Sequence, residues 1–169
     1  MRNVLWVALA AALVAAAAFG DWVYEGKWGS YGSGDGQFNV SFGVAVAPAN
    51  GNVYVVERNN NRVQYFTATG SYLGKWGSSG SGEGQFNWPL YAAIAPASGN
   101  VYVTEFNNPR VQVFTSTGSY LGKWGSVGSG NGQFNGPVGI DVASGGNVYV
   151  ADFYNHRIQY FTSMGAYLG

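Results

Sequence analysis

The chain has no cysteine among its 169 residues. That excludes disulfides, thiolate metal sites, cysteine nucleophiles and an acylated-cysteine anchor. Charge is scarce as well: Asp, Glu, Lys and Arg make up 9%, with eight cations against eight anions. Phosphate binding needs a surplus of Lys and Arg on one face, so no nucleic-acid partner is expected. Histidine occurs once, and no serine has a His–Asp partner arrangement. The longest apolar run, Val4 to Phe19, is 16 residues and rich in alanine, short of the ~20 that span a bilayer. Aromatics and glycine, by contrast, are abundant, at 17% and 27 residues. Rings for packing and glycines for tight connections point to an all-β chain.

The N-terminus reads as an export signal. Arg2 supplies a positive start, Val4 to Val14 an apolar stretch, and Ala16 and Ala18 the small residues of an A-x-A cleavage pattern before Asp21. Residues 1–18 are therefore expected to be cleaved. Residues 19–169 would act outside the cytoplasm, in the periplasm, at the cell surface or secreted, without membrane contact.

The rest is repetitive. Lys-Trp-Gly recurs at Lys27, Lys75 and Lys123, and Gly-Gln-Phe-Asn at Gly36, Gly84 and Gly132, each 48 residues apart. Asn-Val-Tyr-Val begins at Asn52, Asn100 and Asn147, so the third copy is one residue shorter. The loss lies in a turn, Pro96–Gly99 against Ser144–Gly146, where a hairpin tolerates it. Three units follow: 30–77, 78–125 and 126–169, preceded by a strand-D-like segment at 22–29.

Each unit reads as four short strands. Strand A is expected at Gly43–Ala47, Tyr91–Ala95 and Gly139–Ala143, and strand B at Val53–Val56, Val101–Thr104 and Val148–Ala151. Strand C is expected at Arg62–Thr67, Arg110–Thr115 and Arg157–Thr162, and strand D at Tyr72–Trp76, Tyr120–Trp124 and the stub Tyr167–Gly169. Asn50-Gly51, Thr69-Gly70 and Thr117-Gly118 supply hairpin turns. Strands A and B are apolar almost throughout, so both sheet faces must be covered. Four antiparallel strands at this period describe a β-propeller blade.

The unit Gly-Ser-Gly-Asp-Gly-Gln-Phe-Asn, then Gly-Asn-Val-Tyr-Val, an acid, and Asn-x-Arg-(Val/Ile)-Gln-x-Phe resembles the NHL repeat. The third copy, Asp152 to Gln159, holds the Asn155-His156 pair. The resemblance covers Trp22 to Gly169 and implies an all-β propeller of NHL type. Such proteins close rings of about six blades. Three blades are expected to form a partial or open ring, as a fragment of a longer propeller or as one half of a homodimer that closes a ring. Family members that act as peptidyl-hydroxyglycine amidating lyases use histidine-ligated zinc. His156 alone cannot assemble that site, and its equivalents are Asn61 and Pro109.

The recurring charged residues are Glu57, Glu105 and Asp152, each five before an Arg at 62, 110 or 157. Identical placement in every blade reads as structural ion pairs holding the B–C turn, because active sites are seldom built in triplicate. The Gly-Ser-Gly-x-Gly loops precede a strand, with no Lys-Ser/Thr, so the phosphate-cradling mechanism is absent. One carboxylate per loop, at Asp35 and Glu83 but Asn131 in the third, is too few for calcium. No metal or cofactor is expected. Phe38, Phe86 and Phe134 read as anchors buried between blades.

Recognition is sought where the copies differ. Arg58, Trp88, Phe106, Tyr154 and His156 fall on B–C turns and D–A loops, which emerge on one face of a propeller. Rings there suit a protein or carbohydrate partner. The competing reading is that Trp88 and Phe106 pack between blades. No catalytic residue is assigned. The expected function is an extracytoplasmic binding scaffold. The alternative is a fragment of an extracytoplasmic propeller lyase or hydrolase whose active site lies in other blades.

Overall fold

The computed structural model describes residues 24–169; the export signal at 1–18 and the first two residues of the 22–29 segment lie outside them. The described chain is almost wholly strand and turn. A short parallel pair, β1 (Ser30–Tyr31) with β2 (Gln37–Phe38), opens it. The first antiparallel sheet runs β3 (Ser41–Val46), β4 (Val53–Glu57), β5 (Arg62–Phe66) and β6 (Tyr72–Trp76). The second repeats it with β7 (Pro89–Ile94), β8 (Val101–Glu105), β9 (Arg110–Phe114) and β10 (Tyr120–Trp124). The third holds β11 (Pro137–Val142), β12 (Val148–Asp152) and β13 (Arg157–Phe161). One 3-10 turn, Phe153–Asn155, interrupts the pattern. The described residues do not close a ring.

Three boundaries differ from expectation. Strand A begins two residues early in each blade, because Ser41, Pro89 and Pro137 pair with Glu57, Glu105 and Asp152 across a register shift. The stub Tyr167–Gly169 makes a bridge, Phe161 to Tyr167, rather than a full strand. Its backbone still bonds β13, with Leu168 N–H donating to Tyr160 and Tyr160 N–H to Gly169. Tyr24–Gly29 is not strand; among the described residues no strand C stands beside it to complete a ladder. Its Trp28 nevertheless packs like its equivalents. The rings of Trp28, Trp76 and Trp124 lie over Gly70, Gly118 and Gly165 of the following C–D turn, where any Cβ would come within 2.6–2.7 Å of the indole.

Each tryptophan also meets a strand-C phenylalanine: Trp28–Phe66, Trp76–Phe114 and Trp124–Phe161, with centroids 5.6–6.0 Å apart. Phe38, Phe86 and Phe134 close on the same three rings from the loop side at 5.6–5.7 Å. Each such contact adds about 1 kcal/mol beyond the area it buries. Phe86 and Phe134 are fully buried.

The sheets stack face to face. One core joins blades 1 and 2 through Tyr54, Val56, Val63, Phe86 and Val103. The next joins blades 2 and 3 through Tyr102, Val111, Phe134, Val150 and Phe161. Tyr54 and Tyr102 each donate a hydroxyl across the interface, to the Ser116 and Ser163 carbonyls. The end blades show what stacking covers. Tyr149, equivalent to Tyr54 and Tyr102, is 40% exposed against their 1%. Ile158 is 63% exposed where Val63 and Val111 are fully buried. On the opposite end, Val44 and Val46 are likewise exposed.

Candidate binding surface

The frame of the surface is the B–C turn. In blade 2, Arg110 donates Nε to Glu105 and its two Nη groups to the carbonyls of Ser81, Gly82 and Gln85. Glu105 is fully buried and also accepts from the Asn87 backbone, Asn108 and Gln112. Gln112 returns to the loop, accepting from Gly84 and donating to Gln85. Blade 1 builds the same network on Glu57, Arg62, Asn60 and Gln64. Blade 3 builds it on Asp152, Arg157, Asn155 and Gln159. The glycine-rich loop therefore wraps its carbonyls around a guanidinium supplied by the chain itself. Gly32, Gly80 and Gly128 sit at φ +151 with a Gln oxygen 2.2–2.3 Å from any Cβ, so a side chain there would displace that glutamine from its bond to the loop.

The network pins the D–A loop to the B–C turn. Arg58, Phe106 and Phe153 donate their backbone N–H groups to Val40, Trp88 and Gly136. Both loop sets thus share one face, with variable side chains above the common frame. The Arg58 guanidinium carbon lies 3.6 Å from the centroid of the Trp88 ring. Arg58 Nε is buried without a hydrogen-bond partner, so the ring face is its neighbour, a contact of about 0.5–2 kcal/mol. Trp88 stacks on Phe106 at 6.3 Å, and Phe106 meets Tyr154 at 5.9 Å. Gly136 makes the second contact feasible: a Cβ there would meet Phe106 at 2.8 Å and Tyr154 at 3.0 Å.

Four of the five expected residues thus form one run across three blades. Trp88 is 38% and Tyr154 54% exposed, while Phe106 is half-buried. Both rings of the competing reading pack and also present a face to solvent. His156 is not in the run. It caps the 3-10 turn at φ 52 and lines a shallow hollow with Phe153 and Ile158. Phe153, absent from the expected set, extends the run, meeting Tyr154 at 4.9 Å and standing 55% exposed. Its slot, shared with Arg58 and Phe106, was the available signal.

Backbone strain marks the same place. Trp88 and Val40 have φ 55, in the left-handed region, while blade 3 has Gly136 there at φ 67. Among the described residues no three His, Cys, Asp or Glu side chains lie close enough to share a metal ion. No described helix is long and apolar enough to cross a membrane.

The family model described as the NHL repeat matches residues 43–66 and 134–161, in the first and third blades. The middle copy has the same sheet and the same network. A search of curated proteins finds no match. Solved structures with the same fold include a chain of the nidogen/laminin complex, with TM-score 0.64 and 18% identity over 75% of this chain and 46% of that one. Virginiamycin B lyase from Staphylococcus aureus gives TM-score 0.56 and 19% identity over 76% of this chain and 40% of the enzyme. Hydrazine synthase of Kuenenia stuttgartiensis gives 0.60 and 18% over 82% and 38%. The chain spans less than half the length of each, and at these identities the likeness is one of fold.

Proposed function

We propose, for a chain that carries NHL repeats folded as propeller blades, that it is a binding scaffold acting outside the cytoplasm. Its partner is a protein or glycan that lies across the face bearing Arg58, Trp88, Phe106 and Tyr154. The observation that carries this reading is the continuous run of rings across blades 2 and 3, capped by a guanidinium from blade 1. Rings give large contact area at small entropic cost, and Arg and Trp are the residues on which interface energy concentrates. The location rests on the leader-like residues 1–18. Lyases share the fold, but fold alone does not transfer an activity.

The end faces support a second element of the proposal. The bare face of blade 3 repeats the positions that blades 1 and 2 use to receive the next blade, and the bare face of blade 1 repeats the side that the later blades turn toward the blade before them. We propose that two copies join through them, toward a closed ring. Sedimentation at micromolar concentration is expected to show association, and Ile158→Lys to weaken it. A monomer at all concentrations refutes this element alone.

The surface is tested with Arg58→Ala, Phe106→Ala and Tyr154→Ala, used to probe extracellular or envelope proteins and a glycan panel. Partners of the unaltered chain should be lost from the variants while the β-sheet circular dichroism persists. If partners are retained by all three, the interface lies elsewhere.

A further inference from the structure

The end of the blades opposite the aromatic run contains a cleft of about 270 Å³ between blades 2 and 3. Tyr102, Val113, Gly122 and Trp124 line its inner part, and the turns at Pro96–Ser98 and Ser163–Met164 its mouth. The other blades show why it is there. In blade 1, Tyr65 stands directly across the ladder from Gly74. Its ring lies against that glycine, 2.6 Å from where a Cβ would be. It stacks on Tyr54 at 5.6 Å and 12°, and meets Trp76 at 6.0 Å. In blade 3, Tyr160 lies against Gly169 and stacks on Tyr149 at 5.5 Å and 14°. A ring laid over a cross-strand glycine is a recurring way to cover the backbone that glycine leaves bare.

Blade 2 keeps every wall of this arrangement and lacks the ring. Val113 stands across from Gly122, and nothing lies within 4 Å of a Cβ built on that glycine. Tyr102 meets Trp124 at 6.0 Å and 66°, as Tyr54 meets Trp76 at 6.1 Å and 67°. Tyr102 is therefore without the stacking partner that Tyr54 and Tyr149 have. The cleft has the neighbours that hold a phenol ring in the sister blades, and its volume is near the ~300 Å³ at which small-molecule sites begin.

The geometry points to a binding site for a single planar aromatic ring, stacked on Tyr102 and floored by Gly122. The ring's chemistry is that of a tyrosine side chain, the group that fills this slot in the two sister blades. The site lies at the opposite end from the Arg58–Tyr154 run and does not depend on it.

The probe is p-cresol, the tyrosine side chain as a free molecule, titrated into the full chain and followed by Trp fluorescence and ligand-observed NMR. Saturable binding on the order of 1 mM is expected, as suits a ligand of this size. Val113→Tyr supplies the ring covalently and should weaken binding at least tenfold. Gly122→Ala is the second variant. Its glycine is not in the left-handed region and its Cβ meets nothing in the empty protein, so the fold is retained, yet the methyl occupies the floor a ring needs. It too should lose binding tenfold. Tyr65→Val should open a second site beside Trp76 and raise the stoichiometry from one to two. N-acetyl-tyrosinamide separates the sources: binding at least as tight as p-cresol assigns the site to a peptide side chain, weaker binding to a free phenol. Absence of p-cresol binding overturns the proposal, as does unchanged affinity in Gly122→Ala, or equal affinity for the non-planar 4-methylcyclohexanol.

Discussion

Replacing Arg110 with alanine removes one guanidinium and leaves a carboxylate behind. Glu105 is fully buried and keeps three donors, the Asn87 backbone, Asn108 and Gln112, but no cation. The carbonyls of Ser81, Gly82 and Gln85 lose their shared donor. Removing one member of a buried pair costs about 3–5 kcal/mol, and the retained donors place the expected loss near 3 kcal/mol. With a urea m-value of about 2 kcal/mol/M, the midpoint should fall by roughly 1.5 M. Blade 3 supplies the control. The Arg157 side chain is 27% exposed against 10% for Arg110, so solvent compensates Asp152 in part and Arg157→Ala should cost only about 1–2 kcal/mol. To separate burial from blade position, each change is combined with its neutral partner, Glu105→Gln or Asp152→Asn, and the coupling within each blade is compared. The reasoning is refuted if the two couplings are equal, or if Arg110→Ala shifts the midpoint by less than about 0.5 M.

Three further outcomes are expected. Val40→Gly should raise stability by up to about 1 kcal/mol in urea melts, because a β-branched residue at φ 55 is strained where glycine is not; a loss would show that its side chain matters. The Asp35 carboxyl is held below its ordinary 3.8 chiefly by the hydrogen bond from Lys75, at 2.6 Å. A lowered folded value gives stability that is present above pH 3.8 and lost as pH falls through the folded value. Asp35→Asn should therefore flatten melting temperature against pH only below about 4, and an unchanged acid limb contradicts this. Burial raises the Tyr54 and Tyr102 phenols above 10.0, so their contribution is complete below pH 10 and declines above it. Tyr54→Phe should blunt alkaline unfolding followed by circular dichroism, and an unchanged alkaline profile would exclude that phenol as a cause.

The repeat makes the blades legible in the sequence alone. Strand B is legible to within one residue because Val53–Val56 and its copies, Thr104 apart, are apolar runs bounded by turn residues. The early start of strand A was not legible. Ser41 joins its ladder only across a bulge opposite Glu57, and a bulge leaves no periodic trace. The pair β1–β2 was missed because Gly-Ser-rich sequence reads as loop. Its order comes from Arg62 and Gln64, 25 to 29 positions on, which bond the carbonyl of Gln37 and those of Ser33 and Gly34 in the loop between the two strands. Arg58, Trp88, Phe106 and Tyr154 could be grouped from sequence because turns of one parity emerge together. His156 could not be separated from them: its equivalent Asn61, at a like φ of 49, reaches the Trp88 N–H of the following blade, whereas His156 lies beside exposed Ile158. The change of Tyr65 and Tyr160 to Val113 was visible in Gln-Tyr-Phe against Gln-Val-Phe. Its consequence was not, because it depends on which residue stands across the ladder.

Three copies of one frame amount to an internal substitution series, and position 88 is its most informative member. The frame holds positions 40, 88 and 136 in the left-handed region whatever side chain is present, at φ 55, 55 and 67. A sequence selected only to build blades would place glycine in all three, as blade 3 does. A non-glycine residue there carries a net cost of up to about 1 kcal/mol against glycine. Val40 gives no return for that cost that the structure shows. Trp88 gives two: its ring carries the Arg58 guanidinium and bridges to Phe106. Removing it would relax the backbone but take from Arg58, whose Nε has no hydrogen-bond partner, the ring face it lies on, and would divide the run between blades 1 and 2. The strain at Trp88 is therefore coupled to the continuity of the surface, and the strain at Val40 is not. That difference between equivalent backbone positions is an argument that the aromatic run is more than a by-product of stacking blades.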